Sequence, residues 1–268
     1  MVEAQVRGRQ PGIGWRWARS LYRVAQRARL RLWPDDGRLH IRQVDGTPIT
    51  VLPGVFDGIR LRSGAFLAQT FATLPIPANA QVLDLGTGSG IGAIFAARRA
   101  VRVVATDINP EAVRCAQINA LALHLDHTIE TRVGDLFEPV HAEQFDAILF
   151  NPPFYHGQPR NMSDRAWRSP DVFDRFLHEL PAHLCPGGFA LIVLSTDGDI
   201  ANALFSAQHL VVRPVRRRDL VNEILTVYEI KVYDRTGIEC GTGNEPNALK
   251  GVMARVIEGN SISSGGLP

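Results

Sequence analysis

Asp84-Leu85-Gly86-Thr87-Gly88-Ser89-Gly90-Ile91-Gly92 decides how this chain is read. The apolar run Gln81-Val82-Leu83 leads into it and predicts a strand ending at Asp84. Gly90–Arg99 leaves it as a helix. A glycine-rich turn from strand to helix lets a ligand approach the backbone closely. Such a turn is also compatible with a tight connection that binds nothing. The spacing is Gly-x-Gly-x-Gly; Ile91 stands where the dinucleotide pattern Gly-x-Gly-x-x-Gly has its third glycine.

Outward from this stretch, helices alternate with apolar strands from about residue 64. The pattern predicts helix Ala65–Leu74, strand Val101–Thr106 ending at Asp107, and helix Pro110–Leu123 with Asn109 as N-cap. Strands Thr128–Val133 and Phe145–Phe150 follow, then helix Ser169–Leu184, the turn Pro186-Gly187-Gly188 and strand Phe189–Leu194. Two more strands lie around 210–216 and 224–234, with little helix between them. Near-continuous apolar strands alternating with helices mean an α/β, doubly wound, mostly parallel seven-stranded sheet covered on both faces. Its last two strands form an antiparallel edge hairpin.

Upstream, Trp17, Leu21, Val24, Ala28 and Leu32 recur at helical spacing, with Arg16, Arg19, Arg23 and Arg27 on another face. Residues 13–33 therefore read as one amphipathic helix. Leu39-His40-Ile41 and Ile49-Thr50-Val51 read as a hairpin around Asp45-Gly46. The expected organisation is a basic accessory segment over 1–63, a catalytic domain over 64–235 and a weakly specified tail over 236–268, with a short helix at 248–257.

The acids at the strand ends suggest the ligand. Asp84, two residues before Gly86, would repel a pyrophosphate and suit a cationic amino-acid group. S-adenosylmethionine (SAM) has an ammonium group and no phosphate. Gly86, Gly88 and Gly90 would let it approach the loop. Asp107, 21 residues after Gly86 and next to Ile108, can take both ribose hydroxyls. Asp135-Leu136-Phe137 would border the adenine, the acid accepting its amine and the apolar neighbours holding the ring. After Phe150 comes Asn151-Pro152-Pro153-Phe154. Its prolines fix the backbone and remove two N–H donors. The Asn151 oxygen and the Pro152 carbonyl then offer two acceptors to a planar –NH2 group, and Phe154 offers a stacking face. Holding both hydrogens turns the nitrogen lone pair toward the methyl group, an in-line geometry in which positioning supplies much of the rate.

Residues 52–195 resemble the class I SAM-dependent methyltransferases of the methyltransferase small domain family. The matching segments are Leu52-Pro53-Gly54-Val55-Phe56, Asp84 to Gly90, Asp107-Ile108-Asn109-Pro110, Gly134-Asp135-Leu136-Phe137 and Asn151 to Phe154. The resemblance implies a Rossmann-like methyltransferase fold. It implies that Asp84, Gly86, Asp107 and Asp135 contact SAM and that Asn151 to Phe154 bind the target nitrogen. The family includes ribosomal RNA guanine-N2 and release-factor glutamine methyltransferases. Two features depart from it: the stretch after Phe56 reads Asp57-Gly58-Ile59-Arg60-Leu61-Arg62-Ser63-Gly64, and only one helix and a hairpin precede the core.

Tyr155 to Arg168 is expected to form a lid, with Pro153, Tyr155, His156, Arg165 and Trp167 as substrate contacts. Four acceptor readings stay open: an RNA base amine, a protein glutamine amide, a small-molecule amine, and a SAM-binding module without turnover. The sequence does not specify an oligomeric state.

Composition narrows the classes further. Hydrophobic residues at 45% and charged residues at 21% exclude disorder throughout. Cys115, Cys185 and Cys240 stand far apart, which argues against a disulfide framework or a cysteine zinc site and for a reducing, cytoplasmic compartment. His124 and His127 read as solvated helix-end residues, so no metal is expected. No run of eighteen apolar residues predicts a membrane span. Residues 1–42 carry ten arginines against Glu3, Asp35 and Asp36, a local charge of +7, so the rest sums to −5. That basic arm favours RNA, although with 27 Arg and 2 Lys arginine is the general cation of this chain.

Overall fold

The computed structural model describes residues 37–207, 209–220 and 223–232. The amphipathic helix expected over 13–33, the short helix at 248–257 and Cys240 lie outside the described residues.

The hairpin is formed by β1 (His40–Val44) and β2 (Thr47–Val51), with Asp45 and Gly46 both at positive φ. Two such residues make the type of turn whose twist matches an antiparallel pair. Then come α1 (Ser63–Phe71), β3 (Gln81–Leu85), α2 (Ile91–Ala97), β4 (Arg102–Asp107), α3 (Pro110–Ala122), β5 (Ile129–Val133) and β6 (Phe145–Phe150). A lid of short pieces follows: β7 (Tyr155–His156), α4 (Met162–Arg165) and β8 (Arg168–Ser169). The chain continues through α5 (Val172–His183), β9 (Leu184–Ser195), α6 (Ala201–Ser206), β10 (Leu210–Asp219) and β11 (Ile224–Val232).

The seven-stranded sheet has the order β10-β11-β9-β6-β3-β4-β5. Pairs β6-β9, β3-β6, β3-β4 and β4-β5 are parallel; β9-β11 and β10-β11 are antiparallel. This is the sheet expected, with its edge hairpin. Differences are local. The Pro186-Gly187-Gly188 segment is drawn into β9, at the register shift between Phe145 and Ala147 of the β6-β9 pair. Helix α6 has no counterpart in the sequence reading; Leu204 is its one fully buried side chain, too little for an apolar stripe.

Alternate residues of the central strands feed two cores. In β6, Ala147 and Leu149 pack with Phe66, Phe71 and Ile94, while Ile148 and Phe150 pack with Phe137, Phe173 and Phe176. Burying side chains of this size stabilises by roughly 1.5–3 kcal/mol each. The hairpin joins the first core through Val44 and Ile49. Asn119 of α3 ties it down by accepting from the Thr50 N–H at 2.8 Å and donating to the Thr50 carbonyl at 2.7 Å. Among the described residues no helix is long and apolar enough to cross a membrane.

From β3 the chain winds outward through β4 to β5, then returns to the other side of β3 as β6. That reversal opens a crevice at the carboxyl ends of these strands, where open α/β sheets bind ligands.

Candidate functional site

A cleft of about 820 Å³ lies at that reversal, within the usual range of roughly 300–1,000 Å³ for small-ligand sites. Gly86 follows β3, Thr106 and Asp107 end β4, Gly134 to Leu136 follow β5, and Asn151 follows β6; all line it.

Asp84 does not line the cleft. It is 5% exposed and sits beneath the glycine turn. The Thr87 hydroxyl donates to its Oδ2 at 2.6 Å and the Ala93 N–H at 2.8 Å. A Cβ on Gly92 would fall 2.3 Å from Oδ1, so only glycine fits there. Burial pushes the Asp84 carboxyl up to about 6; the Thr87 and Ala93 bonds pull it down, and Asp107 adds a little repulsion. Asp84 thus ties the turn to the start of α2. Asp84, expected from sequence to meet an ammonium group, is bonded here within its own loop. Gly90 is likewise structural. It caps α2 at φ 82°, and a Cβ there would meet Ala116 Cα of α3 at 2.9 Å. Gly88 does not line the cleft either, but its N–H donates to Asp107 Oδ2 at 2.9 Å.

Asp107 faces the cleft, with Ile108 beside it. Its other oxygen accepts from the Asn109 N–H at 2.9 Å. Burial raises its pKa, and the N–H groups of Asn109, Gly88 and Ile108 work against that. A carboxylate has about four acceptor positions, and these N–H groups do not take all of them, so it can still accept from a ligand hydroxyl. Thr106 Oγ1, buried in the same wall, has no partner among the described residues. Asp135 and Leu136 border the far end, Leu136 being 8% exposed. Arg175 of α5 donates to Asp135 Oδ2 at 2.9 Å and stands 3.3 Å from Asp171. Burial works against the Arg175 charge, but Asp135, Asp171 and Glu179 outweigh it and raise its pKa.

Asn151 makes the acceptor side. Its Nδ2 donates to Ser63 Oγ at the start of α1, at 3.2 Å. Its Oδ1 is buried without a partner among the described residues. An unpaired buried acceptor costs about 1–3 kcal/mol, and this oxygen is free to accept from a ligand donor. Pro152 is buried and Pro153 lines the cleft.

The lid departs from the sequence reading. Phe154, Tyr155 and His156 do not line the cleft; they fasten the lid to the turn after β9. The Asp199 N–H donates to the Phe154 carbonyl at 3.0 Å, and the Tyr155 hydroxyl donates to Asp197 at 2.8 Å. His156 meets Asp199 through its backbone N–H at 2.8 Å and through Nδ1 at 3.1 Å. The aromatic rings that do line the cleft are Phe56 and Trp167, an edge-to-face pair with centroids 5.1 Å apart. Arg165 lines the cleft as expected from its place in the lid.

Sequence reasoning missed Phe56, Arg60, Thr106, Arg175, the hairpin residues His40 and Arg42, and Arg38 just before the hairpin, all in the cleft wall. The segment Leu52 to Phe56 carried a signal for the first of these. Arg175, in the first turn of α5, carried none. Asp57 explains how its loop holds shape: it accepts from the Arg60 N–H at 2.8 Å and from Arg42 Nε at 2.8 Å.

Comparison with known proteins gives the family and the fold. The methyltransferase small domain family matches residues 46–213. Ribosomal RNA small subunit methyltransferase C of Alcanivorax borkumensis is 32% identical over 148 residues, 54% of this chain and 42% of that protein. The release factor glutamine methyltransferase of Cereibacter sphaeroides is 37% identical over 143 residues, 48% of each. The chain spans about half the length of the curated relatives it matches. Among solved structures, the 16S rRNA N2 G1207 methyltransferase of T. thermophilus, in complex with AdoMet and guanosine, shares the fold. Its TM-score is 0.58 at 23% identity, over 73% of this chain and 50% of that one.

Proposed function

This chain belongs to the methyltransferase small domain family, and from that premise we propose that its cleft binds SAM and directs methyl transfer to a planar nitrogen. The observation that carries the reading is the buried, unpartnered Asn151 Oδ1 in the same cleft as Asp107. Relatives that methylate ribosomal RNA and relatives that methylate glutamine both support it.

The residues fit the cofactor. Asp107 has acceptor capacity for the ribose hydroxyls, Ile108 and Leu136 offer apolar contacts to the adenine, and Asp135 with Arg175 closes the adenine end. Asp84 and the glycine turn hold the loop on which the amino-acid end rests. When bound, SAM supplies a methyl group on a cationic sulfur.

The rest is positioning by this chain. Asn151 Oδ1 accepts one hydrogen of the target –NH2 group and the Pro152 carbonyl accepts the other. Ser63 fixes the Asn151 amide plane through Nδ2, and the two prolines fix the backbone beneath it. The nitrogen lone pair then points along the cleft toward the methyl group. Alignment of this kind converts binding energy into rate. The proton leaves after the nitrogen has become cationic, so no strong base is required. An RNA base amine and a glutamine amide both meet this geometry. In this reading residues 64–235 carry the transfer, and residues 1–63 supply an accessory wall through Arg38, His40 and Arg42.

The test is incubation with methyl-labelled SAM and either small-subunit ribosomal RNA or a purified release factor, followed by digestion and mass analysis. N-methyl base or N-methylglutamine supports the reading. Label on oxygen or carbon, or no transfer to either acceptor, overturns it.

A further inference from the structure

We propose that the arginine face formed by β10 and the start of α1 is a docking surface for the sugar–phosphate backbone of an RNA acceptor. This rests on the planar-nitrogen reading and names its acceptor class. Its two strand arginines, Arg216 and Arg218, do not line the cleft.

Strand β10 is the outer strand of the sheet and reads Leu210-Val211-Val212-Arg213-Pro214-Val215-Arg216-Arg217-Arg218-Asp219. Arg216 and Arg218 lie over the same ring, that of Phe66 in α1, at 5.5 Å and 4.5 Å from its centroid. Phe66 is wholly buried, so the ring is a fixed platform. Arg62, at the start of α1, lies close enough to repel Arg218. The Arg218 pKa is lowered by burial first and then by Arg216 and Arg62, while Asp45 opposes them. Arg62 precedes Ser63, the residue bonded to Asn151, and Arg60 lines the cleft. Cations thus run from the sheet edge to the acceptor side of the site.

Several arginines are neutralised by an acid: Arg42, Arg168, Arg175 and Arg213 each pair with a carboxylate. Among the described residues Arg60, Arg62, Arg216 and Arg218, like Arg98, Arg99, Arg160, Arg165 and Arg217, form no ion pair, and Arg218 donates only to the neutral Gln69, at 3.3 Å. Charge on an outer strand can serve only to discourage edge-to-edge pairing. That role does not require two guanidinium groups on one ring beside a third cation, an arrangement that costs mutual repulsion. A row of phosphates relieves it. Arg217, between them in sequence, lies on the opposite face of the strand, near Tyr228, whose pKa burial raises while Thr226 and then the Arg217 charge work against the rise. It is therefore an internal control.

The experiment titrates the full chain against a fluorescein-labelled single-stranded RNA of mixed sequence, by anisotropy from 50 to 200 mM KCl. Calorimetry with SAM is run on every variant. Arg216→Gln with Arg218→Gln should weaken RNA binding at least tenfold at low salt. It should also flatten the salt slope by about 1.4, roughly 0.7 for each phosphate no longer neutralised. Arg216→Lys with Arg218→Lys keeps the charge and should retain most of the salt dependence. Arg217→Gln should bind as the parent does. SAM affinity should be the same throughout; a parent chain that binds no SAM overturns the methyl-transfer reading, and the RNA titration still decides the arginine face. The docking surface is refuted if the Gln pair binds RNA like the parent, or if Arg217→Gln loses as much. It is also refuted if the parent ignores RNA and methylates a release-factor glutamine at a rate the Gln pair does not change.

Discussion

The floor and the acceptor wall of the cleft hold their polar side chains in different ways. On the floor, the chain itself already uses the carboxylates. Asp84 is taken up by Thr87 and Ala93, and Asp107 by the Gly88 and Asn109 N–H groups. On the wall, the Asn151 amide is held on its nitrogen side by Ser63 and left open on its oxygen side. The floor carboxylates are held within the chain, although Thr106 Oγ1 next to Asp107 is buried without a partner among the described residues. The Asn151 oxygen on the wall is likewise unmatched, and under the proposed reading a ligand lacking the matching donor would leave it buried and unpaired.

The sharpest way to break this contrast is to remove the open acceptor. Asn151→Ala should lower the single-turnover methyl-transfer rate by about a hundredfold or more, since misplacement of about an ångström can cost that much. SAM affinity should stay near that of the parent. Asn151→Asp keeps an acceptor oxygen and should lose less. A parent-like rate in the alanine variant would mean that the wall does no positioning.

A smaller effect is expected from the floor. Asp107→Ala removes the ribose acceptors and frees two loop N–H groups. SAM binding should weaken by about 1.5–3 kcal/mol, the usual range for hydrogen bonds to a charged group. Calorimetry decides it, and unchanged affinity would place the ribose elsewhere.

The smallest effect is a pH dependence that belongs to the floor alone. The folded chain holds the Asp84 proton up to about 6, against an ordinary 3.8. The folded state therefore binds this proton more tightly than the unfolded chain does. Its stabilising contribution is present at low pH and is lost as pH rises through 6. Between pH 5 and pH 7 the loss amounts to about 1 kcal/mol. Asp84→Asn should remove it, so the stability difference between parent and variant in urea should change by that amount across the interval. An identical difference at both pH values would mean that the Asp84 carboxyl titrates normally.

The contrast also marks how far the sequence could be read. The glycine turn, Asp107 with its Asn109 cap, and Asn151-Pro152-Pro153 were legible because each depends on neighbours a few residues away. Asn109 does accept from the Glu111 N–H at the start of α3, as its place before Pro110 predicts. The lid was legible as a segment but not in its contacts. Tyr155 and His156 look like substrate groups in a line of text, yet they point to Asp197 and Asp199, more than forty residues away.

By itself the sequence determined the order of strands and helices and the places where the sheet meets its ligand. Apolar periodicity, proline and glycine act locally, and a doubly wound sheet follows from their alternation. Only the tertiary structure decided which side chains face the cleft. Asp84 lies beneath its turn because α2 starts there and needs an acceptor. Arg175 reaches Asp135 because α5 packs beside β6, and Phe56 meets Trp167 because two distant loops close on the same opening. Arg216 and Arg218 share the Phe66 ring because an antiparallel edge strand runs past α1. Such contacts join residues tens to hundreds of positions apart, and packing across both faces of the sheet, rather than any local pattern, selects them.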